Sequence, residues 1–286
     1  MFERGSMKQA AGLAVLGVAI ALAGSARAAP PVRVMSLNAC TDQLVMMLLP
    51  PDRISSVTYL AEGAAVTPAL AKEAAALRIN HGLSEEILAQ KPDLVIAGPF
   101  TTPAARKLAK QAGMALLVVD YAESFDDIRR TTRQVAKAVG EEARGEALLQ
   151  HMDIALSELE RTKPGVSIKA VAWDGSGRVP GAHSLFNEIL EAAGGVNLGA
   201  QAGRSMGTVD LEQLLALKAQ PDVLLYAVAG KAQPSLQTAA VQHPVLAHAY
   251  AHRRLAIPEY SCGTPQAADQ ALALRQAMRR ALGARP

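Results

Sequence analysis

Side chains able to do chemistry are sparse in this 286-residue chain and form no catalytic signature. It has two cysteines, Cys40 and Cys262, and six histidines. His248 and His252 stand at the i, i+4 spacing of a helical metal pair, with His243 nearby. But His243 precedes Pro244, no acidic partner is close, and His252-Arg253-Arg254 reads as a solvated face, so no metal site is assigned. Gly175-x-Gly177-x-x-x-Gly181 is one residue too long for the dinucleotide fingerprint. There is no P-loop, no nucleophile elbow and no zinc-type pairing of His with Glu. Catalytic residues are therefore not assigned.

The elements that would position a binding site are easier to read. Apolar runs of strand length alternate with helical periods from Val32 onward, which argues for parallel sheets covered on both faces. One helix stands out, Glu141 to Arg161. It is rich in strong helix formers, and its apolar Leu148, Met152, Ala155 and Leu159 recur at three- and four-residue steps. Its length of ~30 Å suits a connector. The chain on either side reads as the same kind of unit. Ser84 to Val95 runs helix cap, short helix, Pro92-Asp93, buried strand; Asp210 to Leu224 repeats the order with Pro221-Asp222. The expected organisation is α/β, with two Rossmann-like lobes (29–140 and 163–286) joined by a long helix over 141–162.

Composition fits a chain that buries a substantial core: 50% of residues are hydrophobic, 19% charged and 3% aromatic. Residues 1–28 read as a cleavable secretory signal. Arg4 and Lys8 precede an apolar run from Ala10 to Ala23, and Ala26 and Ala28 make an A-x-A cut. No cysteine stands beside that cut to take a lipid. Losing three cations and one anion there lowers the formal charge from +3 to about +1. Nothing suggests nucleic acid or a membrane surface as partner, and the expected location is the periplasm.

The chain resembles the periplasmic solute-binding proteins of the cobalamin and ferric-siderophore class, which serve ABC importers. The resemblance covers nearly everything from Val32 to Arg280. It rests on Ser36-Leu37-Asn38-Ala39-Cys40-Thr41-Asp42, on Glu85 with Lys91-Pro92-Asp93-Leu94-Val95, on the single long helix, on Leu190-Glu191-Ala192-Ala193-Gly194-Gly195-Val196-Asn197, and on Glu212 before Pro221-Asp222. It implies a monomer with two lobes that hold a metal chelate between them, with no cofactor of its own. It also implies an inner-membrane permease dimer with its ATPase as partner. A single stiff connector implies limited hinge motion.

Open α/β sheets bind ligands at the carboxyl ends of their strands, and candidate ligand residues follow from that. In the first half they are Asn38, Ala39 and Cys40, then Tyr59, His81, Phe100 and Thr101. In the second half they are Trp173, Asp174 and Arg178, then Arg204, Met206, Tyr260 and Cys262. Trp173 fits a core or a cleft equally, and Arg178 lies in the turn-rich DGSGRVPG stretch. With few aromatics, the chain points away from cobalamin towards another chelate, with Arg178 and Arg204 meeting anionic oxygens. Glu85 and Glu212 open corresponding short helices. The resemblance implies that they dock on arginines of the permease, and the plain alternative is that they complement helix dipoles. Cys40 and Cys262 would face each other across the cleft as a disulfide, as two separate thiols, or as a thiolate pair for a soft metal. The competing functions are haem or cobalamin capture within the class, an exported α/β enzyme with a Cys nucleophile, and a scaffold that has lost its ligand.

Overall fold

The computed structural model describes residues 29–63, 67–200, 206–217, 220–227, 235–257 and 262–283. The signal segment, Arg204 and Tyr260 lie outside them. The first half runs β1 (Val34–Ser36), α1 (Ala39–Leu48), β2 (Ile54–Thr58), α2 (Pro68–Ala74), β3 (Ile79–Asn80), α3 (Ser84–Gln90), β4 (Leu94–Ala97), α4 (Pro103–Gln111), β5 (Ala115–Val118) and α5 (Phe125–Val139). The connector α6 spans Glu142–Arg161. The second half runs β6 (Ile168–Ala172), β7 (Arg178–Pro180), α7 (Leu185–Ala192), β8 (Gly195–Asn197), β9 (Met206–Thr208), α8 (Leu211–Leu215), β10 (Val223–Ala227), α9 (Leu236–Val241), α10 (Pro244–Ala249), β11 (Arg254–Ile257) and α11 (Ala267–Gly283).

Each half builds one parallel sheet. The first is ordered β3-β2-β1-β4-β5 and the second β11-β10-β6-β8. β6 therefore stands where β1 does, β8 where β2 does, and β10 and β11 where β4 and β5 do. Strand alternation feeds a core on each face. Leu94 and Ile96 of β4 enter the cluster with α1 and α5, while Val95 enters the one with α3 and α4. Likewise Val223 and Leu225 of β10 face α7 and α11, while Leu224 faces the cluster of Trp173, Leu214 and Leu246.

The repeated Pro-Asp joint does the same work twice. Asp93 Oδ2 accepts the N–H groups of Val32 (3.1 Å) and Arg33 (2.9 Å). Asp222 Oδ2 accepts that of Lys169 at 2.9 Å. In both halves a side chain just before one strand accepts N–H groups at the start of the central strand.

The connector is shared between the cores. Leu149, Met152, Ala155 and Leu159 are buried with α7 and α11, while Leu148 packs partly against the first-half core. The expected apolar face thus turns by one residue at its start: Leu149, not Leu148, is the fully buried side chain. Phe125 and Ile128 of α5 also lie in the second-half core. The lobes therefore meet through packed side chains as well as through one covalent rod. At the far end, buried Arg275 donates to the carbonyls of Ala192 (2.6 Å) and Ala193 (3.0 Å) and to Thr162 Oγ1 (2.7 Å). It satisfies the carbonyls at the end of α7 and ties them to the end of α6.

Candidate functional site

The carboxyl ends of the two sheets are joined. Cys40, past β1, and Cys262, past β11, form a disulfide with Cα atoms 4.9 Å apart. These are the chain's only cysteines, so neither is a free thiol. The readings as separate thiols, as a thiolate metal site and as a Cys nucleophile are overturned, because no thiolate can form at a bonded sulfur. Gly263 presses on the opposite lobe beside the bond. A Cβ there would stand 2.4 Å from Ala122 Cβ and 2.9 Å from Ala122 O. Only glycine allows the two lobes this approach.

Several predicted ligand residues turn out to build the cleft floor. Asn38 caps α1, its Oδ1 accepting from Cys40 N–H at 2.9 Å, and its side chain lies against Gly98, where a Cβ would come within 2.7 Å. Buried Thr101 accepts from Gly98 N–H and donates to Leu37 O, both at 3.0 Å, tying the end of β1 to the turn after β4. These bonds spend the side chains on structure. Trp173 is a core residue, 4% exposed, and its indole N–H donates to Val209 O at 2.9 Å. Alternation from Val171 places it on the covered face.

Arg178 is in a strand, not a free loop: β7 pairs antiparallel with β9, matching Arg178 to Thr208 and Pro180 to Met206. Its guanidinium is held at 3.1 Å by Asp174 Oδ2. Asp174 also accepts from the hydroxyl and N–H of Ser176. Burial alone would raise the Asp174 pKa, but the bonds from Ser176 and Arg178 outweigh it and hold the carboxylate below its usual range. Arg178 and Met206 remain exposed.

On the first lobe the predicted rings come together. Tyr59 follows β2 and His81 follows β3, and their rings stack with centroids 5.4 Å apart. Phe100, past β4, is 78% exposed and packs on Tyr121, past β5, at 4.9 Å. In sheet order the rim reads His81, Tyr59, Asn38 with Cys40, Phe100, Tyr121, over a width of ~19 Å for four strand intervals. Tyr121 was missed, although the strand-end rule that found Phe100 applies equally to β5. Glu86 was also missed as a partner of His81. Its Oε2 accepts the N–H groups of His81 (2.8 Å) and Leu83 (3.0 Å) and its Oε1 faces His81 Nδ1 at 3.4 Å. Leu83, not Ser84, holds the cap position.

Beneath the rim lies a buried polar network. Asp42, in the first turn of α1, accepts from Thr58 N–H at 3.2 Å and Thr58 Oγ1 at 2.5 Å. Burial pushes its pKa up from 3.8 to about 7, against bonds from Ser36 and Thr58 that favour the charged form. Asn80 Nδ2 donates to Ser36 O and Ser56 Oγ, locking β3 to its neighbours.

The enclosed space beside the disulfide, lined by Asn38, Asp120 and Gly263 among others, is only about 20 Å³, roughly one water. A cargo would therefore lie on the open rims. A groove of about 470 Å³ along α6 is larger. None of its lining residues follows a strand, and Arg133–Glu146 and Arg129–Asp153 pair its charges. It is a solvated helix face.

Glu85 and Glu212 are exposed and occupy the same place, second in α3 and in α8. In both helices the next residue performs the cap. Glu86 accepts from Leu83 N–H, and Gln213 accepts from Asp210 N–H at 3.0 Å. Neither Glu85 nor Glu212 forms an ion pair with any described residue.

Comparison with known proteins agrees with this geometry. An uncharacterized ABC transporter substrate-binding lipoprotein, YvrC of Bacillus subtilis, is 25% identical over 151 residues. The match covers 49% of this chain and 47% of that one, about half the length of this curated relative. The periplasmic heme-binding protein RhuT of Roseiflexus sp. RS-1 superposes with a TM-score of 0.69 at 24% identity, over 87% of this chain and 98% of the other. The periplasmic vitamin B12 binding protein BtuF of Vibrio cholerae does so at 0.63 and 20%, over 88% and 98%. These two share the two-lobed fold. Residues 34–256 match the family model described as periplasmic binding protein, and this chain belongs to that family.

Proposed function

We propose that the protein is the substrate-binding component of an ABC importer, capturing a metal chelate in the periplasm and handing it to an inner-membrane permease dimer with its ATPase. It acts by binding, without catalysis. The observation that carries this reading is the aromatic rim of the first lobe, set against the polar Asp174–Arg178 turn of the second. Exposed rings in two pairs, at the ends of β2 and β3 and of β4 and β5, offer apolar faces to a broad cargo, and the guanidinium offers charge to its carboxylates. The exported context rests on the signal-like segment and on the disulfide, a bond of oxidising compartments.

Low aromatic content argued against a cargo with a flat macrocycle. That argument loses force because Tyr59, Phe100 and Tyr121 stand together on one rim. Haem and corrinoids are therefore favoured over a compact siderophore. Two of the similar structures are named for such cargo, heme in one and vitamin B12 in the other, and another is named for Fe3+-hydroxamate transport. Glu85 and Glu212 supply docking. With the cap carried by Glu86 and Gln213, each is left as an exposed charge at matching places of the two lobes, suited to steering and register.

The test is a thermal-shift panel of hemin, cobalamin, cobinamide and a ferric trihydroxamate. A true cargo at a hundred times its Kd stabilises by about 2.7 kcal/mol and raises Tm by several degrees. A panel with no dose-dependent shift overturns the reading.

A further inference from the structure

The join between the lobes is one-sided. Cys40 stands past β1, the middle strand of the first sheet, and is bonded there to Cys262. From this bond the contact runs towards β5. Gly263 fits against Ala122, and a Cβ on it would also come within 3.2 Å of Ile128 Cγ1. Phe125 and Ile128 enter the second-lobe core, with Ala122 packed against it. The space left on this side, towards Asp120 and Tyr121, is the enclosed one of about 20 Å³. On the other side of the bond the lobes are not joined. The turns past β2 and β3 bond within their own lobe: Gly82 N–H to Asn80, the N–H groups of His81 and Leu83 to Glu86, and the Tyr59 ring to that of His81. Among the described residues, none of these turns bonds to the second lobe. Tyr59 and Leu60 are 53% and 45% exposed.

The lobes are thus held at two places: along α5 and α6, whose side chains enter the second-lobe core, and at the Cys40–Cys262 bond. Two bodies held at two places keep one easy motion, a swing about the line through them. That line follows the Ala122 side of the cleft. Two strand intervals separate Cys40 from His81, a lever of ~10 Å. A swing therefore widens the gap at Tyr59 and His81 and leaves the joined side shut. We propose that the disulfide makes the middle of the cleft a fixed seam, so that cargo enters and leaves on the Tyr59–His81 side without the lobes parting. The bond then serves binding as well as stability, because it holds the two rims at the spacing that the cargo meets. This deepens the proposed function and rests on it.

Hemin, or cobalamin where hemin does not bind, is mixed with the full chain and with L60W, E123W and C40S/C262S. Stopped-flow absorbance of the probe reads the rates, and small-angle scattering reads the radius of gyration. Leu60 and Glu123 are both exposed, the first beside Tyr59 and the second beside Ala122 on the seam. L60W should slow association and release alike, roughly fivefold or more, with Kd unchanged, as an obstructed passage does and a lost contact does not. E123W should change neither rate. Wild type should keep one radius with and without the probe. C40S/C262S, checked for cooperative melting, should be larger than wild type when empty, contract on binding, and hold the probe roughly tenfold more weakly. If C40S/C262S does not fold, the contrast of L60W with E123W decides alone. Equal slowing by L60W and E123W, or a folded C40S/C262S that matches wild type in radius and affinity, overturns the seam and leaves the transport reading standing. Wild type that binds neither probe removes both.

Discussion

The two lobes share a frame and differ at their rims. Asp93 and Asp222 cap the same strand start, Glu85 and Glu212 hold the same helix position, and the strand order matches across four positions. Among the described residues, only the first sheet has a fifth strand, β3, which brings Asn80 and His81 to the edge. The second lobe has instead the β7–β9 ribbon, which presents Arg178 and Met206. Among the described residues, the first rim presents aromatic rings and the second the polar Asp174–Arg178 turn. The lesson is that positions bonded to the backbone hold the frame in both halves, while the side chains beyond the strand ends are left to recognise cargo.

The disulfide is where this comparison breaks most easily, because it binds the unlike rims together. It closes a separation of 222 residues, which corresponds to about 5 kcal/mol in the chain-entropy account. Thiol titration of denatured, unreduced protein should find no free thiol. Urea unfolding of C40S/C262S should show a loss of about 2–5 kcal/mol. Free thiols in the oxidised protein would contradict the covalent junction.

A smaller effect separates the lobes by pH. Asp42 has a folded pKa of about 7 against its ordinary 3.8. As pH rises from about 4 the unfolded chain gives up this proton first, so stability falls until pH passes about 7 and the full penalty is present. D42N should remove up to about 4 kcal/mol of that pH dependence, with little gain at pH 4. Equal effects of D42N at pH 4 and pH 8 would contradict the burial argument.

The smallest stability effect falls where the halves are most alike. E85K and E212K should each change stability by less than about 0.5 kcal/mol, since the neighbouring residue carries the cap. Combined, they should abolish uptake while soluble chelate binding persists. Loss of binding as well would place them elsewhere than at a docking surface.

The frame was readable because it rests on periodicity and on joints with fixed chemistry. The Pro-Asp pairs and the long helix leave local marks, and the pairs appear as carboxylates accepting the N–H groups of Arg33 and Lys169, each at 2.9 Å. The rim was half readable. The strand-end rule led to Tyr59, His81 and Phe100 on the exposed rim, but it also named Asn38, which caps its own helix, and Thr101 and Trp173, which bond to distant backbone that no local pattern reveals. β3, with two residues, and the β7–β9 ribbon, with three in each strand, are too short to register as periods. Composition alone does not name the cargo, because a percentage does not say which rings share a surface.

The central claim is that cargo touches both lobes at once. Hydrogen exchange of the full chain with and without saturating hemin or cobalamin, whichever binds, tests it directly. The account predicts slowed exchange at the ends of β2, β3 and β4 and, in the same complex, at the Asp174–Arg178 turn. Slowing confined to one lobe, or to the groove along α6, would contradict it.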